Sequence, residues 1–179
     1  MEIILIAAIS LDGFITKHDT PGSSFVSKED RHYFRSVLPD FDCCILGAGS
    51  YRASRKWIRE KMIPEALRVV LTRTPESFEE DEHPGSLEFT KKAPGDLVAD
   101  LKHRGYRRCA LLGGGRVYGE FLRSELVDLL WLTLEPRIFG EGTPLCRGRS
   151  DLSFELVSTE KLADHTLLLK YKPIPLSLA

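Results

Sequence analysis

Short apolar, β-branched runs recur along this chain with helical patterns between them, and that alternation constrains the fold more than any other feature. The runs are "IILIAAIS" (3–10), "DCCILG" (42–47), "RVVLT" (68–72), "SLEFT" (86–90), "CALLG" (109–113) and "LLWLTLEP" (129–136). Between them lie "SKEDRHYFRSVL" (27–38), "SRKWIREKM" (54–62), "GDLVADLKHRG" (95–105) and "RVYGEFLRSEL" (116–126), each read as a helix. Strands alternating with helices give an α/β sheet that is parallel in its middle. The closing "FELVSTEKLADHTLLLKYKP" reads as two strands around a turn, an antiparallel edge hairpin. Ser27 is the expected N-cap of the first helix, with Asp30 three residues on. Asp96 is expected to cap the helix that follows Gly95, and Gly105 to end it. At 179 residues, with no repeat or long linker, the chain is expected to form one domain over residues 1–179.

Ligands of such sheets gather at the carboxyl ends of the strands, and three strand ends here carry chemistry. Gly113, Gly114 and Gly115 stand where a strand hands over to a helix, so bare backbone N–H groups and a positive helix end face one spot, an anion site. In "ILGAGSYRAS", Gly47 and Gly49 lead to Ser50 at a second potential helix start. In "VVLTRTPES", Thr72, Arg73 and Thr74 close a short strand, and a guanidinium there can grip a phosphate bidentately. A Rossmann dinucleotide fold would also place glycines between strand and helix, with an acid about twenty residues on, where Glu135 lies. The G-x-G-x-x-G spacing counted from Gly113, however, puts Tyr118 where its last glycine belongs, and no glycine loop is followed by the Lys-Ser or Lys-Thr of a P-loop.

The remaining composition excludes more than it assigns. A formal net charge of -1 gives no footprint for nucleic acid or an anionic membrane, so the expected partner is a small molecule. The first apolar run is too short to span a bilayer and lacks a basic leader, which predicts a cytoplasmic protein. Cys43, Cys44, Cys109 and Cys146 show no C-x-x-C spacing and read as small hydrophobes. His18, His32, His83, His103 and His165 show no metal-ligand spacing and read as solvated surface. Trp57 and Trp131 read as core, and Asp12-Gly13 as a turn at a strand end.

The motifs "IAAISLDGFI", "ILGAGSY", "VVLTRTPE", "LLGGGRVYGEFL" and "LWLTLEPRIFGEGTPL", followed by "HTLLLKYKP", stand in the order seen in the dihydrofolate reductase-like superfamily. The chain resembles the branch related to the C-terminal reductase domain of the riboflavin biosynthesis deaminase-reductase, over nearly its whole length. That resemblance implies a three-layer fold with an eight-stranded mixed sheet, and NADPH bound across it for hydride transfer to a pteridine-like or pyrimidine heterocycle. Carried over by position, Ala8 and Ile15 would flank the nicotinamide, and Gly47, Gly49 and Ser50 would meet the pyrophosphate. Thr72 and Arg73 would hold the adenosine ribose and its 2′-phosphate, and Gly114, Gly115, Arg116, Val117 and Tyr118 would line the other side of the cofactor. On the substrate side Asp30 corresponds to the carboxylate that bonds the heterocycle, with Thr133 behind it; capping its own helix is the alternative role for Asp30. The riboflavin-type relatives imply a homodimer. The resemblance leaves room for a dihydrofolate reductase proper, or for a catalytically silent NADP-binding protein on the same fold.

Overall fold

β1 (Glu2–Ile9) sends Ile3 and Leu5 to one side of the sheet and Ile4 and Ile6 to the other, and all four are buried. Helices cover both faces, which is why the strands read as continuous apolar runs instead of alternating ones. The computed structural model describes residues 1–60 and 66–174. After β1 come β2 (Cys43–Gly47), β3 (Leu67–Leu71), β4 (Leu87–Thr90), β5 (Arg108–Leu111), β6 (Leu129–Leu134), β7 (Ser153–Ala163) and β8 (Thr166–Ile174), ordered β4-β3-β2-β5-β1-β6-β8-β7 in one sheet. The first six strands pair in parallel, and β8 and β7 add the antiparallel edge. This is the dihydrofolate reductase-like fold that the resemblance implied.

Four helices make the outer layers: α1 (Lys28–Val37), α2 (Ala48–Glu60), α3 (Pro94–His103) and α4 (Gly115–Arg123). Leu97 and Leu101 of α3 and Phe121 of α4 pack against Ile3, Ile45 and Leu111. On the opposite face Tyr51 and Ile58 of α2 and Phe34 of α1 pack against Ile4, Val70 and Trp131.

Helix boundaries follow local chemistry, with two departures from expectation. Ser27 caps α1 by accepting from Asp30 N–H at 3.1 Å. Gly105, at φ 91°, ends α3 with Gly105 N–H bonded to Lys102 O and Tyr106 N–H to Leu101 O, a Schellman arrangement. Asp96 lies in the first turn of α3 but does not cap it; Ala93 is the capping residue, because Pro94 supplies the fixed φ of the first helical position. The second helix starts at Ala48, not at Ser54: it follows Gly47 with no loop, so Gly49 and Ser50 belong to its first turn. Residues 61 and 62 of that expected helix lie outside the described residues. Trp57 is the third correction, since it is 37% exposed while Trp131 is buried at 7%. It stands on the solvent side of α2, whose inward positions are taken by Tyr51 and Ile58.

At the end of the sheet where the strands begin, Asp42 replaces missing ladder bonds. Its carboxylate accepts from Arg107 N–H at 2.7 Å and Arg108 N–H at 3.1 Å. Asp42→Ala leaves both donors without this partner and should lower stability by about 1–3 kcal/mol. Urea denaturation checks this; an unchanged midpoint would mean that water replaces the carboxylate at no cost.

Candidate functional site

At the opposite end of the sheet the strands release their chains around a cleft of about 1470 Å³. A pocket for one small ligand typically holds roughly 300–1000 Å³; this cleft is larger because it also runs past Phe41, Cys43 and Arg68, near where β2 and β3 begin. Its wall includes Gly47, Ser50, Thr72, Arg73 and Gly114 at the ends of β2, β3 and β5, and Ala8, Ile15, Asp30, Phe34 and Trp57 from β1, the loop after it, α1 and α2.

The three successive glycines are each there for a different reason. Gly113 carries φ 77°, and a Cβ on it would run into the Tyr118 ring. Its carbonyl accepts from Gly47 N–H at 2.6 Å, which joins the ends of β2 and β5. Gly115 opens α4 beneath the loop after β6, where a Cβ would run into the Pro144 carbonyl. Gly114, with φ -76°, is the one that faces the cleft: a Cβ there would stand 3.4 Å from Ser50 Oγ and 3.7 Å from Ile15 Cδ1. Gly47 is closed as well, since its Cβ would come within 3.0 Å of Val117 Cγ2. The first turns of α2 and α4 thus meet here, both presenting unpaired N–H groups.

The other expected residues divide by what their side chains do. Thr72 and Arg73 lie just beyond β3 at the cleft wall, with Arg73 exposed. Arg116 pairs with Glu120 at 2.9 Å on the outer surface of α4 while still bordering the cleft. The Tyr118 hydroxyl is committed elsewhere. It donates to Ile6 O at 2.7 Å, and burial pushes its pKa up, so α4 is bolted to β1 by a neutral phenol. Gly49, in the first turn of α2, has open space where a Cβ would point.

Asp30 and Thr133 come together although 103 positions separate their numbers in the chain. Thr133 is buried beside Ala8 in the β1–β6 register, and its hydroxyl stands near enough to Asp30 to act on the carboxyl's pKa. Burial raises the Asp30 pKa above the ordinary carboxylate value, the Thr133 hydroxyl pulls it back, nearby Glu135 raises it again and Arg31 lowers it, with a raised net result. Asp30 therefore borders the cleft as well as standing in the first turn of its helix.

Two loops zipped together, after β1 and after β6, border the cleft. Ile15 N–H donates to Thr143 O at 2.8 Å, Thr143 N–H to Thr16 Oγ1 at 2.8 Å, and Leu145 N–H to Gly13 O at 3.1 Å. Asp12 accepts from Gly140 N–H at 2.7 Å and Phe139 N–H at 3.0 Å, so its part is to hold the turn after β6. A hydrogen bond from Ser10 leads the effects that keep the Asp12 pKa below the usual range. Glu135, considered in the sequence only as a Rossmann acid, is a buried carboxylate at 2% exposure close to Asp30. Its signal was an acid ending the otherwise apolar strand "LLWLTLEP". Among the described residues no cluster of His, Cys, Asp or Glu could hold a metal ion, and no helix is long and apolar enough to cross a membrane.

Comparison with known proteins agrees with this architecture. Residues 1–168 match the family model described as RibD C-terminal domain. The uncharacterized protein YwjB of Bacillus subtilis (strain 168) is 27% identical over 149 residues, 80% of this chain and 82% of that protein. The crystal structure of a diaminohydroxyphosphoribosylaminopyrimidine deaminase/5-amino-6-(5-phosphoribosylamino)uracil reductase from Thermotoga maritima superposes with a TM-score of 0.79 at 23% identity, over 97% of this chain and 56% of that one. A dihydrofolate reductase from Enterococcus faecalis, complexed with NADP(H), has a TM-score of 0.68 at 16% identity over 97% of both chains.

The raised pKa of Asp30 has a consequence for stability. The unfolded chain releases this proton near pH 3.8, whereas the folded protein holds it to higher pH; ionising Asp30 above its folded value therefore costs stability, and the cost disappears at lower pH where both states are protonated. Asp30→Asn should melt at a higher temperature than wild type at pH 8, with the difference closing toward pH 3. Thermal scans across that range check it, and a variant less stable at pH 8 would show that the carboxylate acts mainly on the positive N-terminal end of α1.

Proposed function

The chain belongs to the RibD C-terminal domain family, and from that premise we propose that it is an NADPH-dependent reductase of a pteridine-like or pyrimidine heterocycle. The observation that carries the reading is what the cleft brings together: a side-chain-free backbone at Gly114, and a half-buried carboxyl, Asp30, with the Thr133 hydroxyl near it. A dinucleotide fits against that backbone. Any Cβ at Gly114 would project between Ser50 and Ile15, into space that a pyrophosphate laid over two helix N-termini needs. The relatives agree in kind, one named as a uracil reductase and another solved with NADP(H).

Bound there, NADPH supplies the hydride. The chain's own residues do the rest. Gly47, Gly49, Ser50 and Gly114 hold the pyrophosphate, with the backbone of Gly115 to Tyr118 behind it, and Thr72 and Arg73 hold the ribose and its 2′-phosphate. Ala8 and Ile15 border the nicotinamide end. The Asp30 carboxylate, steadied by Thr133, hydrogen-bonds the heterocycle and favours the form that carries a proton beside the accepting carbon. Its pKa lies above the ordinary carboxylate value, chiefly through burial, while the nearby Thr133 hydroxyl favours the ionised form that accepts such a bond. Arg31 and Arg35, one turn apart on α1, border the same cleft and form no ion pair among the described residues, which suits a substrate with an anionic tail.

The pairing of Arg73 with a 2′-phosphate is worth roughly 1.5–3 kcal/mol, or about ten- to a hundredfold in affinity. Arg73→Ala should weaken NADPH binding by that factor and leave NADH nearly unchanged in a fluorescence titration; equal losses for both would give Arg73 a structural role instead. Gly114→Val should abolish NADPH binding while its circular dichroism stays native, and a folded variant of normal affinity would refute the cradle. A panel of pterins, folates and aminopyrimidines, with and without phosphate tails, tests the reaction itself: at least one should oxidise NADPH. Tight NADPH binding with no oxidation by any of them would leave a binding protein.

A further inference from the structure

β6 stays apolar as far as Leu134 and then buries an acid. Glu135 is 2% exposed, and its Oε1 accepts from Ser27 N–H at 2.8 Å. The Glu135 N–H donates to Ile9 O at 2.8 Å, which fixes the residue to the end of β1. Ser27 is in turn the cap of α1, bonded through its Oγ to Asp30 N–H at 3.1 Å. A continuous set of bonds therefore runs from the ends of β1 and β6, through Glu135 and Ser27, to the backbone of Asp30. Packing does not explain the acid: an apolar side chain would fill the space without the cost of burying a carboxylate.

We propose that Glu135 is a positioning residue, which anchors the start of α1 to the sheet and sets a second carboxyl group behind Asp30, so that both the place of Asp30 in the cleft and its response to pH depend on Glu135. The inference rests on Asp30 being the carboxylate that meets substrate. The two effects have separate origins. Anchoring needs only an acceptor for Ser27 N–H, whereas the pH response needs a group that can carry charge. The groups that act on Asp30 are few: burial and Glu135 favour its neutral form, while the Thr133 hydroxyl and Arg31 favour its ionised form. Tyr33, on the same helix, has its pKa pushed up to about 12, chiefly by burial, so it stays neutral at working pH.

Two substitutions separate the effects without any knowledge of the substrate. In Glu135→Gln the amide oxygen still accepts from Ser27 N–H, so the Ser27 amide should stay protected from exchange. The Asp30 carboxyl, followed by carbon NMR with labelled aspartate and assigned by its loss in Asp30→Asn, should then titrate at lower pH than in wild type. In Glu135→Leu both supports are gone, and protection of the Ser27 and Asp30 amides should be lost. An Asp30 midpoint in the Gln variant equal to or above that of wild type overturns the inference, whether or not the Leu variant folds. NADPH titration of the wild type keeps this apart from the reductase reading: absence of cofactor binding would sink that reading while leaving the Asp30 midpoints to decide the role of Glu135.

Discussion

The cleft depends on one pair of backbone hydrogen bonds, Leu112 N–H to Ile45 O and Gly47 N–H to Gly113 O, where β2 and β5 end side by side. It holds two strand ends level, so the helices that follow, α2 and α4, start next to each other and aim their free N–H groups at the same volume. Side chains are excluded at this junction by contacts from different directions: Val117 against Gly47, the Tyr118 ring against Gly113, and Pro144 O against Gly115. Tyr118 completes the arrangement by bonding Ile6 O, which fixes α4 relative to the central strand. Gly114 carries neither a positive φ nor a neighbour that a Cβ would collide with, and Gly49 in the first turn of α2 likewise has open space there.

The wall around Asp30 is built by the other type of economy, long-range polar contacts in place of glycine. Thr133 reaches Asp30 from β6, and the loops after β1 and β6 are laced by backbone bonds that bring Ile15, Thr16 and Thr143 into one wall. The Asp30 carboxyl is partly buried there, which raises its pKa and costs stability once it ionises. A group held at such a cost is expected where chemistry is done, because nothing in the packing requires it.

Much of this was legible in the sequence, for local reasons. Apolar runs marked the strands, Ser27 announced the start of α1, and glycines at strand ends marked the wall of the cleft. The Asp30–Thr133 pair came from resemblance to a family and not from spacing, because no local pattern joins a helix's first turn to a strand so far along the chain. Glu135 went unread for the same reason: its partner, Ser27, is 108 residues away. The triplet was read as one feature serving one ligand, and only the fold shows that two of the three glycines answer to Tyr118 and Pro144. The early start of α2 was hidden by Gly49, a poor helix former whose cost is offset by the helix beginning directly at the strand end. Trp57 was assigned to the core on residue type alone, whereas which face of α2 turns inward is settled by Tyr51 and Ile58.

The central claim is that the dinucleotide lies on the bare backbone at Gly114 with its reacting end turned toward Asp30. A crystal structure of the protein grown with saturating NADPH tests this most directly. The account predicts the pyrophosphate against Gly114 and Ser50, the 2′-phosphate at Arg73, and the nicotinamide beside Ala8 and Ile15 with one face open toward Asp30 and Thr133. NADPH bound elsewhere, or with its nicotinamide directed away from Asp30, would contradict it.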